Sequence, residues 1–229
     1  IGFGPAFGPT LLARGRHVGS VTSTAFSPDG ALVATGAWDG SVRLWSAAGA
    51  LLHVLRGLTE DVEGLAFSPD GALLAGVSRN SNGRIWRVAD GAELQALDDH
   101  QDSVESVLWF PGGDRLLTGS WDGDVRVWSV ETGRSLQTLH AHDEGVFAMA
   151  LSPGEDKILT GSQDRSARLW DVSTGEALRT LMPHDDAVYA AAWSPDGRAF
   201  ATGGRDGRIF VYDSGSGSMI ADLRLGEPV

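Results

Sequence analysis

The chain has 229 residues with 30 acidic and 18 basic side chains, a formal net charge of −12, and no cysteine. The charge argues against nucleic-acid and anionic-membrane partners, which need clustered Lys and Arg, and the absence of cysteine excludes disulfides, zinc–thiolate centres and a thiol nucleophile. No apolar run approaches the length of a membrane-spanning helix. We expect a cytoplasmic protein, since a cysteine-free chain fits a reducing compartment.

Five gapless repeats follow residues 1–16. Their first blocks are HVGSVTSTAFSPDG (17–30), LTEDVEGLAFSPDG (58–71), HQDSVESVLWFPGG (100–113), HDEGVFAMALSPGE (142–155) and HDDAVYAAAWSPDG (184–197), with starts spaced 41, 42, 42 and 42 residues apart. A second block follows each first block: TGAWDGSVRLW (35–45), GVSRNSNGRIW (76–86), TGSWDGDVRVW (118–128), TGSQDRSARLW (160–170) and TGGRDGRIFVY (202–212). A fixed period of this size is the mark of a repeat architecture.

Each repeat contains four short runs that predict β-strands. In the fourth repeat these runs are VFAMALS (146–152), KILT (157–160), SARLW (166–170) and EALRTL (176–181), separated by turn residues. Strands this short, joined by tight turns, pair with their neighbours in an antiparallel meander. A four-stranded meander that recurs about every 40–45 residues predicts a β-propeller blade.

The His, the Thr-Gly, the Asp and the closing Trp at these spacings resemble the WD-repeat (WD40) β-propeller family, and the resemblance covers residues 17–225. It implies an all-β propeller with five complete four-stranded blades and a partial blade at the N-terminus. We predict one domain, residues 1–229, divided into a partial blade (1–16), three regular blades (17–57, 100–141 and 142–183), a degenerate blade (58–99) and a last blade (184–229).

The ends of the chain bear on the size of the ring. Phe3 lies 14 residues before His17, as Trp128 lies 14 residues before His142, so residues 1–16 align with the last strands of a blade. Residues 218–225 supply another outer strand, which makes six outer strands for five blades. We therefore expect part of a larger ring, with seven blades as the family norm and the remaining blades supplied by the same polypeptide or by another chain. The alternative is a closed five-bladed propeller.

The resemblance also implies one hydrogen-bonded tetrad in each blade, formed by His, Thr, Asp and Trp. The matching residues are His17, Thr35, Asp39 and Trp45; His100, Thr118, Asp122 and Trp128; His142, Thr160, Asp164 and Trp170; and His184, Thr202, Asp206 and Tyr212. Tyr212 replaces the Trp in the last blade. In the second blade Leu58, Gly76 and Asn80 replace the three polar members and only Trp86 remains, so this blade is expected to be the weakest.

No catalytic residue, metal site or cofactor is expected. A His/Thr/Asp set could be mistaken for a nucleophilic triad, but chemistry rarely needs the same site in every blade. His140 and His142 form an H-x-H pair, yet His142 already belongs to a tetrad. The glycine-rich GFGPAFG at 2–8 lacks the preceding strand and following helix that a phosphate-binding loop requires.

Family propellers resemble one another in using the face formed by the loops between blades and the loops between second and third strands. Three positions of each blade point there: three and five residues after the His, and one before the Asp. Of these we take as candidate partner-binding residues Trp38, Trp121, Phe147, Tyr189, Arg79, Arg205, Gln163, Asp61, Glu63 and Glu105. Four aromatic residues on one face match the composition of interface anchors.

Three functions of different classes are compatible with this face. The first is a non-enzymatic scaffold that binds a protein or peptide carrying basic and apolar residues, since 11 of the 30 acidic residues lie in or beside the loops between blades. The second is a regulatory or sensor module of a larger polypeptide, such as a bacterial signalling or defence protein with a kinase or NTPase. The third is a propeller glycosidase that uses Glu63 and Glu105 as its carboxylate pair.

Overall fold

The computed structural model describes residues 15–224. They form five four-stranded antiparallel sheets, here numbered 1 to 5 along the chain, and within each sheet the strands lie in chain order. Sheet 1 holds β1 (Val21–Phe26), β2 (Leu32–Ala37), β3 (Val42–Ser46) and β4 (Leu51–Leu55); sheet 2 holds β5 (Val62–Phe67), β6 (Leu73–Ser78), β7 (Gly83–Arg87) and β8 (Glu93–Leu97); sheet 3 holds β9 (Val104–Trp109), β10 (Arg115–Ser120), β11 (Asp124–Ser129) and β12 (Ser135–His140); sheet 4 holds β13 (Val146–Leu151), β14 (Lys157–Ser162), β15 (Ala167–Asp171) and β16 (Ala177–Leu181); sheet 5 holds β17 (Val188–Trp193), β18 (Ala199–Gly204), β19 (Arg208–Asp213) and β20 (Met219–Arg224).

In sheets 1, 2 and 5 the turn between the first two strands is built by the Ser-Pro-Asp-Gly sequence. In sheet 1 the Ser27 hydroxyl donates to Asp29, and its oxygen accepts the backbone N–H of Leu32 at 2.9 Å. Asp29 in turn accepts the N–H of Ala31 at 3.0 Å. Gly30 then adopts φ +70°, a left-handed conformation that costs glycine little. The sequence therefore specifies where each hairpin reverses.

Glu155 occupies this left-handed turn position in sheet 4, with φ +58°. A residue with a Cβ pays about 1–2 kcal/mol for this left-handed conformation. Glycine avoids that cost, but it also raises the conformational entropy of the unfolded chain, which cancels part of the gain in stability. We expect Glu155→Gly to raise the free energy of unfolding by about 0.5–1 kcal/mol in urea denaturation. The matched control is Gly113→Ala at φ +73°, which should destabilise the protein by about 1 kcal/mol. Destabilisation by Glu155→Gly would contradict the assignment of strain to this turn.

Consecutive sheets pack face to face, and the hydrophobic core is divided among these interfaces. Between sheets 1 and 2, for example, Val42 and Leu44 contact Leu74 and Trp86. The first strand of each following sheet also packs against the second strand of the sheet before it, and glycine on that second strand leaves room for the approach. A Cβ on Gly36 would lie 2.4 Å from a methyl carbon of Val62 in the next sheet, too close for any side chain.

The five sheets form an open arc. The first strand of each sheet packs against the first strand of the next, but within residues 15–224 sheets 1 and 5 make no comparable contact. The outer-strand leucine that is 1–3% exposed at Leu55, Leu97 and Leu139 is 51% exposed at Leu223 in sheet 5. The alternative of a closed five-bladed ring is therefore wrong, and the arc is consistent with a larger ring.

At the opposite end of the arc, sheet 1 presents its own uncovered face. Phe26 is 70% exposed, whereas the equivalent Phe67, Trp109, Leu151 and Trp193 are half-buried because each contacts the preceding sheet. Trp109, for instance, donates its indole N–H to the carbonyl of Ala66 at 2.9 Å. Residues 1–14, where the partial blade was predicted, lie outside the described residues. Residues 15–224 contain no helix that could span a membrane.

Candidate binding face

Two sets of loops are tied together at one end of every sheet, which we call the upper face. The residue before the Asp position donates its backbone N–H to the carbonyl of the residue three positions after the His, or after its replacement Leu58 in sheet 2. These bonds run from Trp38 to Ser20, Arg79 to Asp61, Trp121 to Ser103, Gln163 to Gly145 and Arg205 to Ala187, at 2.8–3.0 Å. The loops between sheets and the loops between second and third strands therefore lie side by side, as the resemblance implied.

A hydrogen-bonded tetrad supports these loops in sheets 1, 3, 4 and 5. In sheet 3 His100 Nδ1 is 2.9 Å from Asp122, His100 Nε2 is 2.7 Å from the Thr118 hydroxyl, and that hydroxyl accepts the Trp128 indole N–H at 2.7 Å. All three hydrogen bonds are satisfied when His100 is neutral with its proton on Nδ1: Nδ1–H then donates to Asp122, and the Thr118 hydroxyl donates to Nε2. Sheets 1 and 4 repeat the geometry through Thr35 and Thr160.

The tetrad carboxylates accept hydrogen bonds that connect neighbouring loops. Burial alone would raise the pKa of Asp122, but hydrogen bonds from His100 and from the N–H of Gln101 outweigh burial and hold its pKa well below the usual range. The Gln101 bond, at 2.9 Å, links the loop between sheets to the loop that carries Asp122. Thr118 is fully buried, so its hydroxyl is out of reach of a substrate. The set positions the upper face and does not form a nucleophilic triad.

Sheet 2 replaces its missing tetrad with apolar packing. Leu58 is buried with Val62, Leu74 and Trp86. The Trp86 indole N–H has no threonine to reach and donates instead to the carbonyl of Arg56 at 2.8 Å. Because a polar set replaced as a whole by apolar groups can be nearly neutral, the structure gives a reason why the degenerate blade need not be weak.

Sheet 5 keeps three polar members of its tetrad. His184 Nδ1 lies 3.0 Å from Asp206, and its Nε2 lies 3.0 Å from Thr202. Tyr212 replaces the tryptophan, and burial raises the pKa of its hydroxyl to about 12. The Phe210 ring packs edge-on against His184, with centroids 4.7 Å apart. The tetrad of sheet 5 is thus complete except at its aromatic end.

A β-bulge aims one side chain per sheet at the upper face. In each sheet the ladder between first and second strands shifts by one residue at the position five after the His, or after its replacement Leu58 in sheet 2. The extra residues are Thr22, Glu63, Glu105, Phe147 and Tyr189. Bulges redirect side chains out of the regular pleat and are frequent beside functional sites. Sequence reasoning selected these positions but gave no sign of the bulge that orients them.

Three of the predicted aromatic residues form a continuous strip, which we call the aromatic strip. Trp121 meets Phe147 edge to face with centroids 5.2 Å apart, and Phe147 stacks on Tyr189 at 4.9 Å. The strip runs across sheets 3, 4 and 5. Its two ends stay open to solvent, with Trp121 42% and Tyr189 51% exposed. The rings partly pack on one another, yet they leave a broad apolar surface on the upper face.

The acidic side chains gather beside the strip in a cavity, which we call the acidic cavity. It has a volume of about 570 Å³ and spans sheets 1, 2 and 3. Its lining residues are Trp38, Glu60, Asp61, Glu63, Arg79, Asp102, Ser103, Glu105 and Trp121. Arg79 is the single basic residue among them, and its guanidinium is 3.2 Å from Asp61. Trp121 and Ser103 both donate to one oxygen of Glu105.

The remaining candidates lie elsewhere on the upper face. Gln163 and Arg205 are exposed, but they belong neither to the aromatic strip nor to the acidic cavity. At the opposite end of the sheets the structure shows a second, apolar cavity of about 410 Å³ that sequence reasoning missed; it is lined by Leu108, Trp109, Pro111, Met149, Ala150, Leu151, Ser152, Pro153 and Trp193. In residues 15–224 no three His, Asp or Glu side chains are grouped so as to hold a metal ion.

Comparison with protein-family models gives one family, described as WD domain, G-beta repeat. It matches five times, at residues 11–46, 49–87, 91–129, 133–171 and 175–213. Each match ends at the last residue of the third strand of a sheet, and the last four matches begin two residues before the outer strand of the preceding sheet. A search of curated proteins gives no match. The five matches cover most of the chain, and each contains the first three strands of one sheet; the chain therefore belongs to the WD-repeat (WD40) family.

Proposed function

We propose that this protein is a non-enzymatic scaffold whose upper face binds an extended peptide segment of another protein. WD40 repeats are generally protein-interaction scaffolds. The observation that carries the proposal for this chain is the aromatic strip, which presents partly exposed rings of three successive sheets side by side. Trp and Tyr dominate the energetics of interfaces because they bury a large area at little entropic cost.

The charge of the upper face indicates the composition of the partner. The loops between sheets that precede Phe147 and Tyr189 carry exposed carboxylates, namely Asp143, Glu144, Asp185 and Asp186. A segment with apolar side chains for the strip and basic side chains around them would be complementary in both respects. Such complementarity raises association rates and excludes acidic competitors.

The test is a selection of peptides from a random display library on the whole chain, followed by titration of the best peptide against variants. Tyr189→Ala should weaken binding about 10-fold or more, as expected for an exposed aromatic anchor at an interface. The free energy of unfolding should change by less than about 1 kcal/mol, because this side chain is half exposed.

The matched control is Phe26→Ala. Phe26 is also a large exposed aromatic residue, but it lies at the other end of its strand on the open side of sheet 1. It should leave the affinity unchanged. Loss of binding in Phe26→Ala with full binding in Tyr189→Ala would assign the interaction to another surface and overturn the proposal.

The partner segment can also belong to the same polypeptide, which would make the protein a regulatory or sensor module. The same aromatic strip would then bind intramolecularly, and the selected peptide would match a segment of the full-length gene product. If the selected sequence occurs in that product, and the free peptide competes with the intact segment for the aromatic strip, the protein is a regulatory or sensor module. A match only in other proteins favours the scaffold.

Glycoside hydrolysis is a second candidate because Glu63 and Glu105 line one cavity. Burial, and then the charges of Glu105 and Asp61, raise the pKa of Glu63, as a general acid would need. We place this candidate second because one oxygen of Glu105 already accepts two hydrogen bonds. Release of nitrophenol from nitrophenyl glycosides by the chain, abolished in Glu63→Gln, would reverse that order.

A further inference from the structure

The acidic cavity differs from the aromatic strip in that most of its lining residues carry carboxylates. Five carboxylates line it, from Glu60, Asp61, Glu63, Asp102 and Glu105, against one guanidinium. Arg79 is itself held by Asp61 and is largely exposed, so it compensates the other carboxylates only in part. In the described structure neither Glu63 nor Glu105 forms a salt bridge. The cavity therefore presents a strongly negative, preformed recess on the upper face.

Two tryptophans contribute to the walls of the acidic cavity. Trp38 from sheet 1 and Trp121 from sheet 3 both line it, and both are exposed. The Trp121 indole N–H is occupied by Glu105, which fixes the orientation of the ring. Gly145 fits beneath this ring, since a Cβ there would lie 3.4 Å from Trp121 Cδ2. A cation is attracted both by a tryptophan face and by carboxylates.

We propose that the acidic cavity binds the side chain of an arginine from the partner peptide, with its guanidinium held by Glu63 and Glu105 and in contact with Trp38 and Trp121. The inference rests on the proposed function and specifies its ligand. Arginine fits better than lysine because its planar guanidinium binds carboxylates in a bidentate manner and stacks on aromatic rings. Its weaker hydration also lowers the cost of leaving water.

The electrostatics of Glu63 favour the binding of a cation. Burial raises the pKa of Glu63, and the negative charges of Glu105 and Asp61 raise it further, while Arg79 offsets part of this. A guanidinium in the cavity would stabilise the charged form of Glu63 and lower its pKa. Binding of a cation and ionisation of this carboxylate are therefore coupled.

The experiment is an NMR titration of the whole chain with three tripeptides, acetyl-Gly-X-Gly-amide, in which X is arginine, lysine or the neutral isostere citrulline. The indole N–H signals of Trp38 and Trp121 are assigned with Trp38→Phe and Trp121→Phe. We expect saturable shifts of both signals with arginine, and binding at least about 10-fold weaker with citrulline because the charge-assisted hydrogen bonds are lost. Lysine should fall between them.

Variants locate the interaction. Glu63→Gln and Glu105→Gln should each weaken arginine binding by about 3- to 10-fold, since each keeps its shape and loses one charge. Glu105→Gln retains an acceptor for the Trp121 indole, so the ring should stay in place. The control is Asp114→Asn, an exposed carboxylate in a turn at the opposite end of sheet 3, which should have no effect.

Equal shifts with arginine and citrulline, or no shift of Trp38 and Trp121 with arginine, would overturn the inference. This failure is distinct from failure of the proposed function. If a display-selected peptide binds through Tyr189 but keeps its affinity when its arginines become citrulline, the upper face binds peptides and the cavity does not take arginine. If arginine titrates the cavity but no peptide depends on Tyr189, the proposed role of the aromatic strip is wrong and the cavity site remains.

Discussion

Trp128→Ala is expected to lower the free energy of unfolding by about 3–5 kcal/mol, the range for removing a large buried aromatic side chain. The Trp128 ring is 1% exposed and fills the interface between sheets 2 and 3 beside Ile85 and Leu97. Its indole N–H also donates to Thr118, so truncation opens a cavity and removes a buried hydrogen bond from the tetrad. Urea denaturation followed by circular dichroism measures the loss.

Trp121→Ala is the matched control for this prediction. It removes the same side chain seven residues earlier, at a position that is 42% exposed on the upper face. We expect a loss of about 1 kcal/mol or less, since the ring mainly contacts Phe147 and Glu105 at the surface. Comparable losses in the two variants would show that Trp121 is a core residue and that the assignment of the upper face is wrong.

Leu58→His is expected to destabilise the protein by about 2–3 kcal/mol, although histidine is the residue found at this position in the other four sheets. Leu58 is buried with Leu74 and Trp86, and the partners of a tetrad histidine are missing because Gly76 and Asn80 stand at the Thr and Asp positions. The imidazole would lose its water without gaining a threonine hydroxyl or a carboxylate. Urea denaturation again gives the change.

Restoring the other members should recover part of this loss. In the triple variant Leu58→His, Gly76→Thr and Asn80→Asp, the new histidine gains both partners, so the total loss should be smaller than the sum of the single losses. Recovery will be incomplete, because a Cβ on Gly76 would lie 2.9 Å from both Leu65 and Trp86 and both must move. A neutral Leu58→His, or strictly additive losses, would contradict the apolar account of sheet 2.

The sequence predicts the architecture well because each strand and turn is specified by residues within or next to it. The turn residues between strands act through their near neighbours, and the repeat spacing of 41–42 residues predicts the same four-stranded unit five times. Comparison of outer strands with blades also led to the expectation of an unclosed ring, and the exposure of Leu223 and Phe26 agrees with it. Family resemblance supplied the tetrads, whose hydrogen bonds the structure shows in four sheets.

The sequence alone does not predict features that depend on strand register or on packing between repeats. The bulge at Glu63, Glu105, Phe147 and Tyr189 is a property of strand register, which residue types at one position do not encode. The bond from Trp86 to the Arg56 carbonyl arises because the sheet lacks a threonine and the ring must find another acceptor. Contact of Trp121 with both Glu105 and Phe147 joins two sheets, and spacing alone gives no distance between them.

The central claim is that binding takes place on the upper face, and hydrogen–deuterium exchange of the whole chain with and without a display-selected peptide tests it most directly. The account expects protection on binding in the loops that carry the aromatic strip, residues 121–123, 143–147 and 185–189, and in the loop at 79–82 beside the acidic cavity. The turns at the opposite end, such as 111–114 and 153–156, should exchange as before. Protection confined to those turns or to the outer strands, with the upper loops unchanged, would contradict the account.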